Sequence, residues 1–202
     1  MTTSPTPAFP PPRGRLNVDD MTDTTTNTLP LAAGRWALDP FHSEVGFSIR
    51  HLGISKVRGT FADLGAELLV GDSLDTTSLS ASIGIASIDT GNSDRDAHVL
   101  SPELLDVASR PTMEFRSTNI EADGDAWRVE GLVTLGSVTR PMTFVAELGG
   151  LETYPIDGSR HAGFEATGEI SRKDLGVDFG ALDAALGDKV KFQIDLQLVE
   201  PR

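Results

Sequence analysis

Two histidines, His42 and His51, bracket the stretch DPFHSEVGFSIRHLGISKVRGTF at residues 39–61 and are the first residues whose chemistry invites a function. A pair of histidines could share a metal ion or a proton. Nine positions separate them, which on one extended strand is about 30 Å and places the two side chains on opposite faces. The spacing therefore argues against a shared metal site.

The tetrapeptide GDSL at residues 71–74 is a second candidate, because in GDSL-type esterases its serine, here Ser73, is the nucleophile. Those enzymes continue into a helix and supply a late Asp-x-x-His. This chain continues into the alternating run SLSASIGI, and its last histidine, His161, follows Asp157 by four positions rather than three. A turn between two strands accounts for the tetrapeptide, and the esterase remains the less favoured alternative.

The other titratable residues show no recognised metal-binding spacing. Neither H-x-H nor H-E-x-x-H occurs in the chain. The acidic stretch at 89–96 resembles a calcium loop only loosely, because it lacks the glycine and the terminal glutamate that an EF-hand loop needs. Capping of a turn and of a helix start explains these residues, so we predict no metal ion and no cofactor.

Arg95, Asp96 and His98 lie close together near the start of a predicted helix. One interpretation is a local network of charges on an exposed surface, which contributes little to stability. The other places a cationic group at the mouth of a cavity, where it meets the polar head of a ligand. Both interpretations stay open at the level of sequence.

The elements that position these residues are mostly strands, because from Gly34 onward apolar residues recur with a period of two. In VKFQIDLQL at 190–198 the five apolar residues face one way and the four polar residues face the other. The same alternation recurs, more weakly in the last two, at residues 45–49, 79–85, 142–148, 129–135 and 164–170. Turn signals separate about eight such strands, which predicts an antiparallel sandwich or barrel and does not choose between them.

Helical signals are few. One helix is predicted from Ser93 through SDRDAHVL, with a restart at SPELLDV, where Ser101 can cap and Pro102 suits the first helical position. A weaker candidate is GALDAAL at 180–186. No apolar run approaches the roughly twenty residues that a membrane span needs.

Composition limits the classes of partner and the location. The 202 residues carry a formal net charge of −13, so the chain as a whole should be repelled by nucleic acid and by anionic membrane surfaces. The absence of cysteine excludes thiolate metal sites and a cysteine nucleophile. Residues 1–33 read as a disordered tail with Met21 as a possible alternative start. We find no secretory signal and expect a cytoplasmic protein.

Five sequence blocks follow one another along the chain. They are WALDPFHSEVGFSIRH with VRGTF at 36–61, SIDTGNSDRDAHVLSPELLDV at 87–107, RPTMEFRST at 110–118, VEGLVTLGSVTRPM at 129–142 and ISRKDLGV at 170–177. In this order they resemble the YceI-like family of lipocalin-like polyisoprenoid-binding proteins. The resemblance covers residues 34–202. It implies an eight-stranded antiparallel lipocalin-like barrel with a short helical element near one end, an apolar lumen and an amphipathic lipid ligand. Family analogy also suggests a homodimer, and many relatives carry a signal peptide.

On this resemblance the lumen should be lined by Phe47, Ile49, Ile83, Met113, Phe115, Val133, Met142, Phe144, Phe192 and Ile194. The head-group candidates are His42, Arg58, Arg95 and His98. The expected function is non-enzymatic binding, storage or transport of an isoprenoid lipid, polyprenyl or quinone-like, with fatty acids or fatty amides as the alternative ligands. A third interpretation is a barrel with a solid core that acts as an interaction or stress-response module.

Overall fold

The computed structural model describes residues 28–201. The strands within this range form one continuous antiparallel sheet. Its strands are β1 (Gly34–Leu38), β2 (Glu44–His51), β3 (Ser55–Phe61), β4 (Leu64–Val70), β5 (Ser78–Gly84), β6 (Ile88–Asp89), β7 (Thr112–Asp123), β8 (Ala126–Leu135), β9 (Val138–Thr153), β10 (Arg160–Ser171) and β11 (Leu186–Val199). The α-helix α1 spans Ser93–Leu100, and 3-10 helices span Leu74–Thr76, Ile85–Ser87 and Gly180–Ala185.

The sheet closes into an eight-stranded barrel. Three barrel strands are interrupted, because β1 continues into β2, β3 into β4 and β5 into β6, as their shared pairing partners show. Each barrel strand pairs with the next one along the chain, and the pairing of Ala37 with Val199 and of Leu38 with Leu198 joins the first to the last. A sandwich is therefore excluded, and the predicted all-β barrel is confirmed.

Hydrogen bonds within the break between β1 and β2 explain why the strand is interrupted there. The Asp39 side chain accepts a hydrogen bond from the Phe41 N–H at 3.0 Å, which folds the backbone into a turn. The Ser43 hydroxyl then accepts from the Gln197 N–H at 2.9 Å and takes the place of a ladder bond. The break therefore leaves the neighbouring backbone donor satisfied.

The two ends of the barrel differ. We call one the helical end, because α1, the 3-10 helix Gly180–Ala185 and the β2–β3 hairpin tip at residues 52–54 lie there. The opposite end carries the β7–β8 and β9–β10 turns, at residues 124–125 and 154–159.

Three local predictions need correction. The prediction that a helix restarts at residues 101–107 is wrong, because these residues form turns. The Leu104 N–H donates to the Ser101 carbonyl at 3.1 Å, and Asp106 has a positive φ of 47°. The GALDAAL segment is a 3-10 helix. The ordered chain also begins before residue 34, since Leu29 is only 8% exposed. The rest of the predicted tail, with Met21, lies outside the described residues.

Candidate functional site

The barrel encloses an apolar cavity in two parts. The larger, which we call the outer chamber, has a volume of about 740 Å³ and lies at the helical end. Its walls include Phe47, Ile49, Phe61, Leu135, Ile170 and Val190. This volume falls within the range of about 300–1,000 Å³ typical of small-molecule sites. The third interpretation, a barrel with a solid core, therefore does not apply to this half of the barrel.

The smaller part, the inner chamber, has a volume of about 130 Å³ and lies toward the opposite end. Its lining is almost wholly apolar and includes Leu68, Trp127, Val129, Phe164 and Leu196, together with Leu29 from the segment before β1. An apolar cavity of about this size stays dry and accepts a group as large as benzene.

Met113 and Phe192 line both chambers and therefore form the partition between them. The Phe192 side chain is held against its neighbours, because the residue is only 8% exposed. A long ligand that used both chambers would have to pass these two side chains.

The polar lining of the outer chamber is one-sided in charge. Its basic and imidazole side chains are His51, Lys56, Arg58, Arg95, His98 and Arg172, and no aspartate or glutamate among residues 28–201 contributes. This contrasts with the chain as a whole, which has 30 acidic and 17 basic residues. The rim therefore offers donors and positive charge to a ligand's polar end.

The outer chamber opens beside the edge of β3. This strand pairs with β2 along its whole length but with β6 only at Thr60 and Phe61, so residues 55–59 form a free edge. Lys56 and Arg58 from this edge and Arg95 and His98 from α1 all line the chamber. The opening thus lies between the β3 edge and α1.

Arg172 is a structural group, although it lines the outer chamber. The residue is only 3% exposed, and its guanidinium donates to the carbonyls of Gly187 at 3.0 Å and Val177 at 2.9 Å. It also forms an ion pair of 2.6 Å with Asp183 and lies 4.9 Å from the centre of the Phe179 ring. These contacts hold the β10–β11 connection over the chamber.

Asp183 is the anion of this cluster. Hydrogen bonds from Lys173 and from Arg172 lower the pKa of its carboxyl from 3.8 to about 2. The Lys173 ammonium lies 2.5 Å from the second carboxylate oxygen. Asp183 thus remains ionised and pins the 3-10 helix to the end of β10.

Arg95 and Asp96 belong to a local hydrogen-bond network. Arg95 Nε donates to Thr90 Oγ1 at 2.7 Å and Nη2 donates to the Thr90 carbonyl at 2.7 Å. Asp96 Oδ1 accepts from the Thr90 hydroxyl at 2.5 Å. The network ties α1 to Thr90, the residue that follows β6. Arg95 thus belongs to a local hydrogen-bond network and also lines the outer chamber, and its contact with the polar head of a ligand stays a prediction.

The sequence matches the YceI-like domain family over residues 36–198. The chain belongs to the YceI-like family. Protein YceI of Salmonella arizonae is 38% identical over 137 residues, which are 67% of this chain and 71% of that protein. The same values hold for Protein YceI of Salmonella heidelberg.

Solved structures of YceI-like proteins share the barrel. The Campylobacter jejuni YCEI protein superposes with a TM-score of 0.67 at 29% identity, over 76% of this chain and 91% of that one. A polyisoprenoid binding domain from Saccharophagus degradans superposes with a TM-score of 0.57 at 11% identity, over 84% of this chain and 100% of that one. The second likeness shows the fold alone.

The ten lumen residues predicted for this YceI-like barrel all line a chamber. Phe47 and Ile49 line the outer chamber, Met113 and Phe192 line both, and Ile83, Phe115, Val133, Met142, Phe144 and Ile194 line the inner chamber. Their contact with a ligand stays a prediction. Sequence reasoning missed Lys56 and His51 on the rim, although both lie within two residues of the β2–β3 hairpin tip.

Of the four head-group candidates, Arg58, Arg95 and His98 line the outer chamber and His42 lines neither chamber. His42 lies in the break between β1 and β2, where its Nδ1 donates to Asp39 at 2.8 Å. Burial acts to raise the pKa of Asp39, but hydrogen bonds from His42 and the Phe41 N–H outweigh it and hold that pKa below 3.8. His161 and Gln197 complete this cluster.

The esterase alternative has no geometric support among residues 28–201. Ser73 precedes the single-turn 3-10 helix Leu74–Thr76, and the chain then enters β5. The hydroxyl of Ser73 lies 3.4 Å from that of Thr76, and no described histidine contacts it. Within the same residues no group of three or more His, Cys, Asp or Glu side chains could hold a metal ion, and no helix is long and apolar enough to cross a membrane.

Proposed function

We propose that this YceI-like protein is a non-enzymatic carrier or store for an amphipathic lipid with an isoprenoid tail, polyprenyl or quinone-like. The observation that carries the proposal is the outer chamber of about 740 Å³, with apolar walls and a rim without acids. The tail lies in the chamber and the polar head lies at the rim, beside Arg58, Arg95 and His98. The similarity in fold to a polyisoprenoid binding domain supports this choice of ligand.

Burial of the tail supplies the affinity. Apolar surface removed from water contributes roughly 25 cal/mol per Å², which a chain of carbon atoms collects along its whole length. The walls belong to paired strands of the barrel, and a rigid wall reduces the ordering that opposes binding. A fatty acid or fatty amide would use the same walls and is the second candidate for the same reason.

The direct test is to extract the protein purified from cells and to identify the released lipid by mass spectrometry. We expect a lipid whose fragments differ by isoprene units. A saturated acyl chain would favour the fatty ligand instead. Clean extracts, together with no uptake of polyprenyl, quinone or fatty-acid probes, would overturn the proposal.

A matched pair of variants separates the chamber from the outer surface. Ile49→Trp fills the outer chamber, so the purified variant should carry little lipid and take up little probe. Val145→Trp changes β9 at a residue that is 40% exposed on the outside of the barrel, and it should behave as the wild type does. Equal lipid content in the two variants would place the ligand elsewhere.

The esterase alternative is tested with Ser73→Ala. Because Ser73 lacks a neighbouring base, hydrolysis of short acyl esters should be the same for the variant and the wild type. A loss of measurable hydrolysis in the variant would revive that alternative.

A further inference from the structure

The β2–β3 hairpin tip, residues 52–54, exposes aliphatic side chains beside the opening of the outer chamber. Leu52 is 58% exposed and Ile54 is 82% exposed. Neither lines the chamber, but the residues on either side of the tip, His51 and Ser55, do. Aliphatic groups presented at a loop tip next to a lipid cavity are placed to enter an apolar phase.

Leu52 is held in this position against the usual backbone preference. Its φ is +52°, a region that a bulky residue rarely adopts and that glycine or asparagine fills more easily. The Leu52 N–H donates to the Ala185 carbonyl at 2.7 Å, which ties the tip to the 3-10 helix Gly180–Ala185. Glycine or asparagine would suit this turn better, so the leucine indicates a role in contacting a partner rather than in stabilising the fold.

The hairpin is also cationic within an acidic chain. Residues 45–62 contain Arg50, Lys56 and Arg58 and no acid. Arg50 and Lys56 are directly opposite each other across the β2–β3 ladder, an arrangement of like charges that destabilises a sheet. Among the described residues none of the three forms an ion pair with a carboxylate.

Cations on a free strand edge also prevent pairing with another chain. That role explains Lys56 and Arg58, but it explains neither the two exposed aliphatic side chains nor Arg50, which lies on the inner strand of the hairpin. A partner with anionic charge on its surface and an apolar interior, as an anionic lipid bilayer has, matches all of these features together.

We propose that the β2–β3 hairpin tip docks the protein on an anionic phospholipid bilayer, with Leu52 and Ile54 in the acyl region and Arg50, Lys56 and Arg58 against the phosphates. This rests on the proposed function, because docking brings the opening to the bilayer in which an amphipathic lipid resides. The net charge of −13 does not prevent it, since charges more than about 8 Å from the surface are largely screened at physiological salt.

The test is sedimentation of the full chain with vesicles of phosphatidylcholine and phosphatidylglycerol in a two-to-one ratio. We expect binding that weakens as salt is raised and that is lost on vesicles of phosphatidylcholine alone. The double variant Leu52→Asn and Ile54→Asn should bind about tenfold more weakly, and Arg50→Gln with Lys56→Gln should weaken binding and reduce its dependence on salt.

Ile156→Asn is the matched control, because Ile156 is 80% exposed on the β9–β10 turn at the opposite end. It should bind vesicles as the wild type does. No binding by the wild type, or equal binding by Ile156→Asn and by the Leu52 and Ile54 variant, would overturn the proposal.

A separate measurement distinguishes this proposal from the proposed function. Uptake of a fluorescent fatty-acid or polyprenyl probe in solution, without vesicles, should be unchanged in the Leu52 and Ile54 variant. A cooperative thermal unfolding transition would show that the variant is folded. Vesicle binding without probe uptake in the wild type would remove the lipid-carrier function, whereas uptake without vesicle binding would remove only the docking.

Discussion

At the scale of single residues, glycines on one strand make room for phenylalanine rings from the next. A Cβ added at Gly168 would lie 2.7 Å from the Phe144 ring and 3.0 Å from the Thr143 carbonyl, and one added at Gly59 would lie 2.6 Å from the Phe47 ring. The Phe115 ring covers Gly131 in the same way. The rings therefore pack directly against the backbone of the next strand, at positions where that strand carries no side chain.

Gly168→Ala should force the Phe144 ring into the inner chamber, because a backbone carbonyl blocks the other side. We expect a loss of about 1–3 kcal/mol in the free energy of unfolding, measured by chemical denaturation. Gly163→Ala on the same strand is the control, since a Cβ there meets nothing within 4 Å. A comparable loss in both variants would show that the ring contact is not responsible.

Asp183 should make the free energy of unfolding depend on pH in the acidic range. Its carboxyl has a pKa of about 2 in the fold against an ordinary value of 3.8, so its contribution is complete above 3.8 and disappears as the pH falls toward about 2. Asp183→Asn should flatten the decline of the free energy of unfolding over that range. Asp125→Asn, in the exposed β7–β8 turn, should leave the decline unchanged, and an identical curve for Asp183→Asn would contradict the assignment.

At the scale of elements, the β10–β11 connection depends on one buried arginine. Arg172 joins Val177, Asp183 and Gly187 across a segment with no strand partner of its own. Its side chain thus replaces the ladder bonds that a longer hairpin would have made.

Arg172→Met should lower the free energy of unfolding by about 3 kcal/mol, because removing one partner leaves buried carbonyls and a carboxylate without their donor. Hydrogen exchange should quicken most at residues 183–188. Arg160→Met is the comparison: the Arg160–Glu200 pair is 3.7 Å long with an arginine that is 45% exposed, and its loss should cost less than about 1 kcal/mol. Equal losses would show that burial of Arg172 contributes nothing.

The strands could be predicted from sequence, because inward and outward side chains alternate wherever a wall has one wet face. The interruptions could not, since the break after Asp39 depends on the Ser43 hydroxyl meeting Gln197, which is 154 positions away. The same alternation predicts which residues face inward, and the resemblance to the YceI-like family implies that they line a lumen. The rim residues could not be predicted in this way. Lys56 lines the chamber on a part of β3 that pairs with β2 but has no second neighbouring strand among the described residues.

At the scale of the whole molecule, charge and apolar surface are distributed unevenly over an acidic barrel. The helical end combines the opening, the rim to which no described acidic residue contributes, and the cationic β2–β3 hairpin with its exposed aliphatic tip. The small inner chamber lies toward the opposite end, with Leu29 among its lining residues.

The seam between the first barrel strand, formed by β1 and β2, and the last, β11, also has a consequence for the order of folding. Every other pairing between the described barrel strands joins neighbours along the chain, whereas at the seam Ala37 meets Val199 across 162 positions and Val45 meets Ile194. Closing so long a loop is entropically costly, so the seam should form last, after the rate-limiting barrier. Leu198→Ala, at a seam residue that is 1% exposed, should then speed unfolding and leave the folding rate nearly unchanged in stopped-flow experiments. Val129→Ala, within a local hairpin, should slow folding instead.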